Sequence, residues 1–281
     1  MLNNPEIIKA ARKGDVEKLQ NLIKSGVNPD SKGEDGHTAL LWAVYYNEIE
    51  ITKLLIKAGA TIDLQNNSGY TALIWSTYHQ HDDLTQFLIT AGAKLNIVNQ
   101  EGSTALIWAV FNKNIKAIEM LLKAGADVNG GNGKSLIWAS YKNAPEISQL
   151  LLDAGANIET LDMYGDTALV PAIENNHYDT IDILINAGID LDNQNRKGKT
   201  ALDIALSKEN ITSTNALIKA GAKVDHLDKE QKDYINRTPQ IRHILQKVLI
   251  EKQQAHFKNN RKRLFNAKKT TNLHLRRRKP F

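Results

Sequence analysis

The chain has 281 residues, 42% apolar and only 6% aromatic, with no cysteine and a formal net charge of +5. The missing cysteines exclude disulfides, thiolate zinc sites and cysteine nucleophiles together, and accord with a reducing, cytoplasmic setting. The opening MLNNPEIIKA has no basic stretch ahead of an apolar run, and no segment approaches 18 uninterrupted apolar residues, so neither a signal peptide nor a membrane span is expected.

Within that composition the chain repeats itself. Its four tryptophans, Trp42, Trp75, Trp108 and Trp138, sit in the near-copies TALLWA, TALIWS, TALIWA and KSLIWA, at steps of 33, 33 and 30 residues. Ala-Gly or Ser-Gly pairs keep the same beat, ending at Gly26, Gly59, Gly92, Gly125, Gly155, Gly188 and Gly221. A unit this small cannot bury its own apolar face, so the period predicts units stacked into a continuous core.

In chain order, residues 1–34 read as an N-terminal capping unit whose first helix carries Lys9, Arg12 and Lys13, the polar outer face a terminal unit needs. Residues 35–67 are the type unit. Thr38 can cap a first helix whose Leu40, Ala43 and Val44 share a face, and Asn47 tolerates the left-handed conformation that ends it. Ile51, Leu54 and Leu55 form the stripe of a second helix over 49–57, which Gly59 stops. Residues 60–69 then alternate apolar and polar side chains into Asn66-Asn67-Ser68-Gly69, a turn or short hairpin. The same phrase returns over 68–100, 101–132, 133–163, 164–196 and 197–228, with the fourth step shortened at Gly130-Gly131-Asn132-Gly133, where a local kink is expected. Residues 229–258 read as a C-terminal capping helix, with Pro239 at a helix start and Ile241, Ile244, Leu245 and Val248 on its apolar side.

A period near 33 with a Gly-x-Thr-x-Leu opening, two short helices, a Leu-Leu-x-x-Gly-Ala ending and a hairpin resembles the ankyrin repeat. The likeness covers residues 5–228 and recurs in register, as in TALIWAVFNKNIKAIEMLLKAGADVN. Where that family often has Thr-Pro-Leu-His, this chain has Thr-Ala-Leu followed by Leu41, Ile74, Ile107, Val170 or Asp203. The resemblance implies an all-α solenoid of stacked helix-turn-helix units with short β-hairpin or turn connections, acting as a non-enzymatic protein-interaction module.

At about 100° per residue, with Leu40 at 0°, Trp42 and Tyr45 fall near 200° and 140°, away from their own unit's core. The pair recurs as Trp75 with Tyr78, Trp108 with Phe111 and Trp138 with Tyr141, then gives way to Pro171 with Glu174 and to Ile204 with Ser207. In the ankyrin fold this side of the first helix lines the concave groove, so the resemblance implies a ladder of eight rings that binds a partner protein or extended peptide, with Tyr hydroxyls and indole N–H groups as donors. Two alternatives stay open: the tryptophans pack between neighbouring first helices, or the rings hold a methylated lysine by cation–π attraction.

No other constellation carries chemistry. The close pair His79 and His81 reads as surface side chains, the Gly130–Gly133 run lacks the Lys-Ser/Thr of a phosphate loop, and no metal site, cofactor or catalytic group is expected. Eleven of the 36 basic residues and none of the 31 acidic ones follow Glu251, so a body of net charge −6 carries a cationic end. Residues 259–281 therefore read as a basic, disordered tail. Its Arg261, Lys262, Arg263, Lys268, Lys269, Arg276, Arg277, Arg278 and Lys279 are candidates for nucleic acid or an anionic surface, beside the readings of a solvating tail with no dedicated partner and of a localisation address. The chain is expected to be a monomer, and its many Asn, Lys and Ile residues fit an AT-rich genome and a translocated bacterial effector.

Overall fold

The computed structural model describes the backbone of residues 5–276 and the side chains of residues 5–255, 257 and 258. Within those limits the secondary structure is helical, with no strand. The chain divides into two compact units, residues 1–189 and 190–281.

Unit 1 is a series of antiparallel helix pairs: α1 (Glu6–Arg12) with α2 (Val16–Lys24), α3 (Ala39–Tyr45) with α4 (Ile49–Lys57), α5 (Ala72–Tyr78) with α6 (Asp82–Thr90), α7 (Ala105–Phe111) with α8 (Ile115–Lys123), α9 (Ser135–Tyr141) with α10 (Pro145–Asp153), and α11 (Leu169–Glu174) with α12 (Tyr178–Asn186). First helices pack in succession, α1 on α3, α3 on α5, α5 on α7, α7 on α9 and α9 on α11. Thr38, Thr71 and Thr104 start α3, α5 and α7 as expected, each hydroxyl accepting the amide N–H three residues on, of Leu41, Ile74 and Ile107. Asn47, Asn143 and Asn176 end their first helices at φ of 60°, 50° and 60°. Gly59, at φ 87°, closes α4, and a Cβ there would meet nothing within 4 Å, so backbone conformation and not space demands the glycine.

The core repeats with the sequence. Leu40, Leu73, Leu106, Leu136 and Leu169 from first helices and Leu55, Leu88, Leu121, Leu151 and Leu184 from second helices are all buried. Each such side chain contributes about 1.5–3 kcal/mol of apolar burial.

Of the two forms expected for the connections, a turn or a short hairpin, the described residues have turns, with no hairpin strands. The reason is that Asn66 Oδ1 accepts the amides of both Ser68 and Tyr70, and Asn99 Oδ1 those of Glu101 and Ser103, so side chains take the donors a ladder would use. Neighbouring turns are tied by single backbone-to-backbone bonds, Asn67 N–H to the Asp35 carbonyl at 2.8 Å and Gln100 N–H to that of Ser68 at 3.0 Å. A second series of staples runs lower down. The amide of Thr61 donates to Asp30 at 2.8 Å, that of Lys94 to Asp63 at 2.9 Å, that of Asp127 to Asn96 at 2.9 Å and that of Asn157 to Asn129 at 2.7 Å. Gly69 sits where a Cβ would come within 2.9 Å of the Asn99 backbone, which keeps adjacent turns close.

Unit 2 holds α13 (Ala201–Ser207), α14 (Ile211–Ala220), α15 (Lys229–Arg237) and α16 (Pro239–Arg276). Thr200 and Asp203 cap α13 reciprocally, and the buried Asp203 also accepts a hydrogen bond from Gln231 of α15 at 2.8 Å. Burial pushes the Asp203 carboxyl up, but the Thr200 amide, the Gln231 and Thr200 side chains and nearby His226 together hold it below its ordinary value.

The C-terminal cap differs from the single helix expected over 229–258. It is two helices broken at Thr238–Pro239, because a proline offers no amide to continue α15 and starts the next helix instead. α16 then continues through Arg276, over backbone where a disordered tail was expected. No glycine or proline stands between Pro239 and Pro280, and Lys, Arg, Gln, Ala and Leu are good helix formers, so charge alone does not unwind the segment. The side chains of Arg261, Lys262, Arg263, Lys268, Lys269 and Arg276, and residues Arg277, Arg278 and Lys279 entirely, lie outside the described residues. Among the described residues no helix is long and apolar enough to cross a membrane.

Candidate functional site: a row of stacked rings

All eight predicted rings come together. Each first helix places its Trp and the ring three residues later on one side, and the packing of successive first helices brings each pair against the next. The contacts alternate within and between repeats. Trp42 meets Tyr45 at 5.5 Å, Tyr45 meets Trp75 at 5.4 Å, Trp75 meets Tyr78 at 5.6 Å and Tyr78 meets Trp108 at 4.6 Å between ring centroids. Trp108 then meets Phe111 at 5.4 Å, Phe111 meets Trp138 at 5.1 Å, and Trp138 meets Tyr141 at 6.0 Å. All but the last are edge-on, the arrangement that sets a ring's positive rim against its neighbour's negative face.

The shortened fourth step does not interrupt the row. Its connection folds into a 3-10 turn over Gly131–Gly133, with Asn132 at φ 65°, and α9 still packs on α7. The deletion is absorbed in the turn, and the Phe111–Trp138 spacing stays within the range of the other rungs.

Exposure divides the row. The four indoles are half-buried, whereas Tyr45, Tyr78 and Tyr141 are 37%, 39% and 44% exposed. The tryptophans are therefore both packed between first helices and part of the surface, which merges two readings that looked exclusive in the sequence. One detail is corrected: the indole nitrogens of Trp75 and Trp108 have no accessible surface and no hydrogen-bond partner, so they cannot serve as donors to a docked ligand. Any polar contact from the Trp75 rung falls to the Tyr78 hydroxyl, and the Trp108 rung, paired with Phe111, brings none.

The sequence reading missed four more rings. His37 stacks on Trp42 at 4.8 Å and Tyr46 covers it at 5.8 Å, and Tyr70 and His79 sandwich Trp75 in the same way at 4.7 and 5.0 Å. The flanking rings stand five residues before and four after Trp42 and Trp75, a repeated offset that the sequence does display. His79 is thus not the surface side chain expected of it. Burial, and then the neighbouring His81, pull its pKa below the ordinary histidine value. His81 turns a ring nitrogen to the carbonyl of Tyr45 at 3.3 Å, and His177 does the same to Ser140 at 2.8 Å, so both tie one repeat to the previous one. The His79 and His81 rings lie nearly parallel, 5.7 Å apart, and no group of His, Asp and Glu suited to a metal ion occurs among the described residues.

Helix pairs stacked by repeat, stapled turn to turn, with one recurrent side-chain row on their first helices, define a modular repeat scaffold. Family models agree: residues 7–99 and 136–228 match that for ankyrin repeats (3 copies), and residues 101–132 match that for a single ankyrin repeat. The chain belongs to the ankyrin repeat family, whose repeats are protein–protein interaction modules. Among solved structures it is similar to the human ASB11 ankyrin repeat domain, at a TM-score of 0.65 and 23% identity, over 78% of this chain and 99% of that one. No curated protein sequence matches it significantly.

Proposed function

We propose that the ring row is a docking groove for an extended segment of a partner protein, and that the chain works by recruiting or masking that partner without catalysing a reaction. The observation that carries this reading is the continuity of the row: eight rings in unbroken contact across four repeats, with the tyrosine edges in solvent. Each aromatic side chain carries roughly 150–250 Å² of surface, of which the three tyrosines leave 37–44% in solvent, and exposed apolar surface gathered along one strip marks an interaction site. Trp and Tyr are also the residues that most often dominate interface energies. The methylated-lysine alternative is disfavoured at Trp42, which His37, Tyr46 and the chain's own Arg12 already surround, and at Trp75, on which Tyr70 and His79 stack.

The test is affinity capture with the wild type and with Trp75→Ala combined with Trp108→Ala, followed by identification of what is lost. Because both indoles are half-buried, a second variant, Tyr78→Ser with Tyr141→Ser, removes exposed ring surface while leaving the indoles in place. Loss of the same partners from both variants, with little sensitivity to salt, is the expected result. Retention of every partner by both variants would sink the groove.

A further inference from the structure

The row is not uniform along its length. Trp42 and Trp75 each lie between two flanking rings, whereas the positions that flank Trp108 and Trp138 hold Ser103 with Asn112 and Gly133 with Lys142. The second half is the half whose indole faces lack that aromatic cover.

Cations of the chain itself already settle on these rings. The Lys142 ammonium lies 3.6 Å from the centre of the Phe111 ring, and the Arg12 guanidinium lies over Trp42 at 4.6 Å. Ring faces in this row therefore act as seats for positive charge, by attraction between a cation and the negative face of an aromatic ring.

Past Tyr141 the next rung is not a ring. Glu174, 33 residues on, occupies the corresponding place at the end of α11, which packs against α9. Its side chain is exposed and, among the described residues, makes no hydrogen bond or ion pair. The turn ahead of α11 adds Asp162 and Asp166. Asp162 Oδ1 accepts the amides of Tyr164 and Asp166 at 2.7 and 2.9 Å. Burial, followed by the charges of Glu174, Asp162 and Asp166, pushes the Tyr141 phenol above its ordinary value, so negative potential reaches the last ring of the row. The row thus ends with aromatic faces on one side and carboxylates on the other, with no cation of the chain paired to Glu174.

We infer that this end, Trp138 and Tyr141 with Glu174, seats an arginine side chain of the extended partner segment, an inference that rests on the groove reading above. Arginine fits better than lysine because a planar guanidinium stacks flat on a ring while its N–H groups, lying in the same plane, donate to a carboxylate. Apolar residues beside that arginine then lie along Trp108 and the part of Phe111 that Lys142 leaves uncovered.

The probe is an acetylated, amidated pentapeptide, Pro-Leu-Arg-Leu-Pro, titrated into the full chain and read from the indole N–H signals in nitrogen-15 NMR. A norleucine version and a trimethyl-lysine version serve as comparisons. The arginine peptide is expected to bind about fivefold more tightly than the norleucine one, the scale of a solvent-exposed charge pair. Glu174→Gln is expected to erase that preference while leaving the norleucine affinity unchanged, and Glu174→Ser provides a second variant at the same exposed position. Equal binding of arginine and norleucine peptides, a preference that survives in both variants, tighter binding of trimethyl-lysine, or binding of none of the three each overturns the arginine seat. None of these outcomes touches the groove itself, which stands or falls on the capture experiment.

Discussion

His79 follows Trp75 by four residues, one helical turn, so its ring lies flat on the indole, 11° from parallel, with Tyr45 and Tyr78 edge-on at 4.6 and 4.9 Å. A group wedged among four rings loses more by gaining a proton than it would in water, which is why its pKa lies below 6.5. The sign follows from proton counting. The unfolded chain protonates His79 before the folded one does, so the stability from keeping it neutral is complete above about 6.5 and is lost as pH falls through the lower folded value. Wild type should therefore lose more thermal stability than His79→Phe on going from pH 7.5 to pH 5, and the difference between the two curves isolates this imidazole from the other histidines. Parallel curves would remove His79 from the account. The ring row itself was legible at this scale because an i, i+3 pair repeated four times can only share a helix face. His37, Tyr46, Tyr70 and His79 went unread because they stand at other offsets, and their meaning appears only when each is seen against the indole it covers.

At the scale of the element, the helix pairs were the most legible feature, since Thr caps, Leu positions and Gly stops all repeat on one beat. The turn between paired helices shows where sequence and backbone disagree. Asn47, Asn143 and Asn176 suit a left-handed conformation, but Gln80, Lys113 and Glu209 adopt it too, at φ of 60°, 55° and 52°. An ordinary side chain in that region costs about 1–2 kcal/mol, a cost asparagine largely avoids. Glu209 is exposed, so Glu209→Asn should raise the free energy of unfolding by about 0.5–1 kcal/mol, read as a higher urea midpoint at unchanged slope. No gain there would mean that the surrounding turn, and not the residue, sets the conformation. The connections were less legible. Alternation of apolar and polar residues left a turn and a short hairpin both open, and the turn prevails because Asn66, Asn99, Asp162 and Asn195 each fold their side chain back onto two amides two and four residues on, taking donors a sheet would need.

Across the whole molecule, the net charge of +5 conceals a body of −6 and a C-terminal stretch of +11. This separation was visible in the sequence, whereas the helical backbone beneath the basic run was not, because charge density and helix propensity are independent properties of the same residues. The described core reaches only as far as Ile241 in α16, and the exposed Leu249, Ile250 and Phe257 contribute little to it. Removing residues 259–281 should therefore leave the unfolding midpoint of the repeats unchanged. It should at the same time reverse the sign of the net charge, since nine of the eleven C-terminal basic residues lie in that segment. If the run binds phosphate, the full chain will bind a single-stranded oligonucleotide with an affinity that falls steeply and linearly in log–log form with salt, and the shortened chain will not. Groove binding should show the opposite pattern, insensitive to the truncation and only modestly affected by salt. Oligonucleotide binding that persists in the shortened chain with the same salt slope would place the phosphate contacts on the repeats and leave the basic run without a ligand.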